Sequence, residues 1–200
     1  MASHPSPQPI LMRRIARAIS IVGHPLLTLP AAVCFGAAPP GLLHYAAASL
    51  LLMVLLTVLF IAWHVRRGDW DNVDASRPHE RARWNAFLAI LLLGASAGFA
   101  VDPATRGLAL GFSCALLPVL LGMLLSDRLK LSQHVAYATF TALLLAGSGL
   151  VFTLAALLAV GPLAWSRVVL EKHTPLETAA GMASGMLAGG VFWLGINGLR

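Results

Sequence analysis

The sequence predicts an all-α fold, a polytopic transmembrane helix bundle of about six to seven spans, and three observations carry that prediction. The 200 residues are 58% hydrophobic and only 11% charged, with a mean hydropathy of +0.79. A single water-soluble core cannot hide that much apolar surface, so the bilayer must be the solvent. The charges are also clustered. No Asp, Glu, Lys or Arg occurs from Ala18 to Val65, Trp84 to Val101, Gly107 to Ser126, Leu131 to Ser166, or Thr178 to Leu199. Each stretch is about one or two spans long at roughly 20 residues per crossing. Finally, Pro, Gly and charged residues punctuate these stretches where turns are needed.

Taken in order, residues 1–14 open with a Pro- and Ser-rich tail predicted to be disordered. Arg13, Arg14 and Arg17 then lead into a first span over Ile15 to Gly36, interrupted by a kink at His24-Pro25. The apolar run continues past Pro30 without a small-residue cleavage site, which favours an uncleaved anchor over a signal peptide. Further spans are predicted at Leu42 to Val65, Trp84 to Val101, Gly107 to Leu125, Gln133 to Ala146, Leu150 to Trp165, and Glu177 to Ile196. Gly147-Ser148-Gly149 supplies the turn between the fifth and sixth, although one broken or re-entrant element would also fit that stretch. In the last span Gly181, Gly185 and Gly189 recur every four residues, the signature of a close helix-packing face. Trp63, Trp84 and Trp165 near span ends read as interface anchors.

Counting crossings puts the loops Arg66 to Arg83, Ser126 to Ser132 and Ser166 to Leu176 on one side, with nearly every charge. By the positive-inside rule that side is expected to be cytoplasmic in a bacterial-type inner membrane. The net charge of +6 flanks spans and forms no soluble basic stripe, so no nucleic-acid partner is expected. Cys34 and Cys114 sit in apolar runs, which argues against a disulfide or a metal pair. Oligomeric state is not legible.

The most specific stretch is Ser166-Arg167-x5-His173-x3-Glu177. A neutral imidazole is a competent nucleophile when its other nitrogen donates to a carboxylate, and a guanidinium matches phosphate in bidentate fashion. Each residue also has a plainer reading. Thr174-Pro175-Leu176-Glu177 is a capping box with Pro at the first helical position, Arg167 suits an interfacial anchor, and His173 suits an ordinary loop. The spacing resembles the third signature of the type-2 phosphatidic-acid phosphatase superfamily, with Glu in place of its Asp. The resemblance implies that His173 attacks phosphorus, Glu177 orients its imidazole, and Arg167 binds phosphate oxygens.

Upstream, Lys130-Leu131-Ser132-Gln133-His134 resembles that family's second signature only at Ser132 and His134. The resemblance makes His134 the general acid and Ser132 a phosphate contact; the plainer alternatives are an interfacial histidine and a helix N-cap. The first signature should lie between Arg66 and Trp84. There Arg77-Pro78 supplies its Arg-Pro pair, with Trp70 at the lysine position; Arg81, with Asp74 at that position, is the preferred alternative, because family members with degenerate first signatures resemble this Asp-rich loop with Arg near its end. Lys130 is a candidate replacement for the missing lysine. The plain alternative for this loop is a solvated run of mutually paired charges.

The resulting expectation is a metal-independent lipid-phosphate hydrolase with no cofactor. Two N-terminal helices (15–65) would precede a phosphatase-like membrane core (66–200), and its partners would be the bilayer and a lipid-phosphate substrate. Asp69, Asp71 and Asp74 could instead hold Mg²⁺ in a prenyl-type enzyme. The rival from another class is a noncatalytic transporter, flippase or degenerate relative binding anionic head groups. His44, His64 and His79 receive no role.

Overall fold

The computed structural model describes residues 10–33, 40–70 and 77–199. Eight α-helices and no strand occur among them: α1 (Ile10–Val22), α2 (Pro25–Ala32), α3 (Leu43–Arg66), α4 (Pro78–Ala100), α5 (Arg106–Leu124), α6 (Gln133–Leu144), α7 (Leu150–Val169) and α8 (Pro175–Gly198). Five of these, α3, α4, α5, α7 and α8, are long and apolar enough to cross a membrane, and the bent pair α1–α2 is apolar enough to form either a broken sixth span or a re-entrant loop. The chain is an integral membrane protein.

Two expectations are corrected here. The first span does not start at Ile15; α1 begins at Ile10 and breaks by 46° between Val22 and Pro25, and the predicted end at Gly36 lies outside the described residues. The break follows from chemistry. Pro25 takes the first helical position of α2, and His24 caps that helix, its Nδ1 accepting the Leu26 N–H at 3.2 Å. The fifth span also differs from its expected form. Its α-helix, α6, has 12 residues and ends at Leu144 rather than Ala146, and a four-residue 3₁₀ turn (Leu145–Ser148) completes it before Gly149 reverses the chain at φ 122°.

The short helix is the central one. It packs against α2, α5, α7 and α8, with Val135, Ala136, Tyr137, Thr139 and Phe140 buried. Its seam with α8 is made by the four-residue glycine repeat. A Cβ at Gly181 would lie 2.6 Å from the Ser132 carbonyl oxygen, and one at Gly185 or Gly189 would strike the Ala136 carbonyl or the Leu143 side chain. The backbones therefore close on each other, and the Ser132 N–H donates to the Glu177 carbonyl at 3.2 Å.

At one end the starts of α4, α6 and α8 meet the ends of α3, α5 and α7. Phe60 and His64 of α3 pack with Trp70, Trp84 and Phe87, joining α3 to α4; Trp84 is thus an aromatic packing residue of that joint. Gly122 near the end of α5 faces Gln133 of α6. The N-terminal helix joins the same assembly: α1 packs on α7, with Arg13 donating to the exposed Glu171 carboxylate at 3.0 Å.

Candidate active site

His173 is held by the way two helices end and begin. At the end of α7 the Glu171 N–H donates to Val168 O and the Lys172 N–H to Arg167 O, with Glu171 in the left-handed region at φ 56°. This is a Schellman termination. The His173 N–H adds a second bond to Arg167 O at 3.3 Å. Thr174 then caps α8, accepting from the Glu177 N–H, while Glu177 Oε2 accepts the Thr174 N–H at 2.9 Å. Five residues between Arg167 and His173 are the length of this C-cap plus the approach to the next N-cap.

The capping carboxylate also serves the histidine. His173 Nδ1 lies 3.3 Å from Glu177 Oε2 and 3.1 Å from the Lys130 carbonyl oxygen, while Glu177 Oε1 accepts the Lys130 N–H at 3.3 Å. Both partners of Nδ1 are acceptors, so Nδ1 carries the proton and Nε2 keeps its lone pair. Burial first, then the positive charges of Lys130 and Arg167, push His173 down to about 4 against the opposing pull of Glu177. The contact with Glu177 is therefore a hydrogen bond of a neutral imidazole at pH 7 rather than an ion pair.

These residues border a cavity of about 1890 Å³. Arg13, Arg17, Arg66, Arg81, Lys130, Arg167 and Lys172 line its polar end with His24, His79, His134 and His173, and Asp127 is the one acidic lining residue among those described. The Lys130 ammonium donates to the Lys172 carbonyl at 3.0 Å, and burial followed by the Arg81 charge lowers its pKa. Away from that end the lining turns apolar, through Leu50, Met53, Gly111 and Phe112 to Trp193 and Ile196. The arrangement offers a neutral nucleophile, several anion-binding groups and an apolar gallery.

Of the residues singled out from sequence, His173, His134, Arg167, Arg81 and Lys130 line this cavity. Glu177 stands behind His173. Two depart from expectation. Arg77 is exposed at the N-cap of α4, outside the cavity lining, where its backbone N–H donates to the buried Glu80 carboxylate at 2.9 Å. Ser132 is fully buried against Gly181, outside the lining as well, because close α6–α8 packing consumes its position; its hydroxyl neither caps α6 nor finds a hydrogen-bond partner. Trp70, at the lysine position of the first signature, is buried in the α3–α4 aromatic joint. Asp71 and Asp74 lie outside the described residues.

Sequence reading missed Ser20 and His24. Ser20 Oγ accepts from Arg167 Nη1 at 2.7 Å, and the His24 ring meets the His134 ring edge to face, 4.7 Å between centroids at 89°. The one available signal was a Ser and a His four residues apart inside a charge-free run, and the His was absorbed by the kink it makes with Pro25. His64, given no role, is a packing residue whose Nδ1 lies 3.2 Å from the Phe60 carbonyl oxygen. No family model, no curated protein and no solved structure matches the chain.

Proposed function

We propose that this protein is a membrane lipid-phosphate phosphatase of the type-2 phosphatidic-acid phosphatase kind, hydrolysing a phosphomonoester or diphosphate through a phosphohistidine. The observation that carries the reading is His173: a half-buried, neutral imidazole with Nδ1 engaged by acceptors, on a cavity cationic at one end and apolar at the other. A lipid phosphate has that same polarity. The cavity exceeds the roughly 300–1,000 Å³ usual for drug-sized ligands, so it has room for an amphiphile.

In this mechanism His173 Nε2 attacks phosphorus, and the bond from phosphorus to the lipid oxygen breaks as His134, entering the step as an imidazolium, gives that oxygen a proton and becomes neutral. Water then attacks the phosphohistidine, His134 takes a proton from it, and the P–N bond breaks to return neutral His173 and inorganic phosphate. Arg167, Arg81 and Lys130 offset charge on the equatorial oxygens. The excess of Arg and Lys around the polar end supports, under the positive-inside rule, a site facing the cytoplasmic side of a bacterial-type inner membrane.

The test is phosphate release from short-chain phosphatidic acid and from a polyprenyl diphosphate by detergent-purified protein in EDTA. Release by the wild type that vanishes in His173→Ala is the expected result. A folded wild type that releases none, or a His173→Ala protein that still releases it, overturns the reading and favours a noncatalytic anion-binding role.

A further inference from the structure

The two side chains that sequence motifs did not reach both come from the break between α1 and α2, and each touches a residue to which the proposed mechanism gives a task. Ser20, on the last turns of α1, is buried and accepts a 2.7 Å hydrogen bond from the Arg167 guanidinium. That bond spans 147 positions of sequence and joins the first helix to the seventh. His24 lies one turn further on, at the break. Its Nδ1 accepts the Leu26 N–H, so that nitrogen holds no proton, and the neutral ring carries its proton on Nε2. The ring stands edge-on to His134 at 4.7 Å. The helix cap thereby fixes the His24 ring, and the His24 ring limits how His134 can turn.

We propose that the broken N-terminal helix is a working part of the site, with Ser20 as a positioning residue for Arg167 and His24 as a positioning residue for His134. The proposal rests on the phosphatase reading above and deepens it. The two positions do different work. Arg167 holds phosphate whatever the leaving group, so loss of Ser20 weakens binding of every ester. His134 matters most where the departing oxygen needs a proton, so loss of His24 discriminates between esters.

The experiment compares kcat/KM of the purified full chain in EDTA on short-chain phosphatidic acid, whose alkoxide needs a proton, and on p-nitrophenyl phosphate, whose phenolate leaves without one. His24→Ala is expected to lower kcat/KM on phosphatidic acid about tenfold to a hundredfold, part of what general acid catalysis contributes, and to change it less than about threefold on p-nitrophenyl phosphate. His24→Asn keeps a side-chain acceptor for the Leu26 N–H but removes the ring, and it is expected to match His24→Ala. Ser20→Ala is expected to raise KM about tenfold on both esters with little change in kcat.

Equal losses on the two esters in the His24 variants, no loss in either, or full rescue by His24→Asn would show that His24 only caps α2 and overturn its role. A Ser20→Ala protein with unchanged KM overturns the other. Inactivity of the wild type, or activity surviving in His173→Ala, is read separately and removes the phosphatase reading, and this proposal with it.

Discussion

Helices α3 and α8 are each 24 residues long and lie in the same protein, yet they are used in opposite ways. The more apolar of the two, α3, with a mean hydropathy of 2.5 over its best window against 1.5 for α8, is the one less enclosed by protein: 11% of that window is buried, against 28% in α8. Leu51, Leu52, Leu55 and Leu59 of α3 are exposed along its length, whereas α8 seats Gly181, Gly185 and Gly189 directly on α6. In a bilayer, lipid satisfies leucine as well as a protein core does, so hydropathy reports contact with lipid. Protein contact is reported by small residues, because backbones approach closely only where side chains are absent.

The strongest way to break this comparison is to add volume to the seam. Gly185→Leu puts its Cβ into the Ala136 carbonyl and the Thr139 side chain, and neither backbone can retreat without dismantling α6. Overpacking typically costs about 1–3 kcal/mol, and collision with a main-chain carbonyl belongs at or beyond the top of that range. The expected outcome is loss of a monodisperse folded species in detergent, measured by thermal melting and size-exclusion profile. A protein melting with the wild type would show that α6 and α8 are not held by this face.

A second prediction concerns the chemistry that the seam supports. Lys130 is carried on the loop entering α6, and its charge helps hold His173 down near 4. Lys130→Gln removes a positive neighbour, so the His173 pKa rises and the acid limb of kcat/KM moves to higher pH by up to about one unit. The same linkage sets stability. Below about pH 6.5 the unfolded histidine takes up a proton that the folded one refuses until about 4, so folding weakens as pH falls through that window. A Lys130→Gln profile with an unmoved acid limb would exclude His173 as the titrating group.

How far these features could be read from sequence follows from the same contrast. Spans whose ends are marked by charge or proline were legible: the segment expected at Leu42 to Val65 is the helix Leu43–Arg66, and the one expected at Glu177 to Ile196 is Pro175–Gly198. Helix α6 was read too long because the apolar run continues through Leu145 and Ala146, and hydropathy cannot mark where an α-helix tightens to 3₁₀. At the site, the Arg167, His173 and Glu177 grouping was legible because consecutive caps fix it locally. Arg81 lines the cavity and Arg77 does not because of the face of α4 that turns to it, and Ser20 and His24 are brought there by long-range packing, which spacing does not encode. The burial of Ser132 was hidden for a related reason. Its neighbour across the seam, Gly181, lies 49 positions away, and a Cβ there would meet the Ser132 carbonyl.

A third, smaller effect tests the apolar gallery. Gly111 lines it, and a Cβ there meets only the Phe192 ring at 3.8 Å, an ordinary contact. Gly111→Leu should therefore fold, helped by the better helix propensity of Leu. Its side chain takes space from a substrate chain, and each methylene displaced from apolar surroundings costs about 0.8 kcal/mol, roughly fourfold in kcat/KM. The variant is expected to lose activity on long-chain phosphatidic acid and to keep it on the shortest chains. Equal loss at every chain length would move the lipid tail out of the gallery.

The smallest expected effect completes the comparison from the α3 side. Leu52 is 54% exposed on α3, whose apolar window is only 11% buried, and Leu52→Ala removes atoms that face lipid. Deleting the same atoms from a packed core costs about 2–5 kcal/mol, because a cavity remains. At Leu52 bilayer chains close over the gap, so the change in stability should stay within about 0.5 kcal/mol, as for surface substitutions. Thermal melting in lipid nanodiscs measures it directly. A loss of core size there would mean that α3 is covered by another protein surface in the membrane, and its leucines would then be read as an interface rather than as a lipid-facing side.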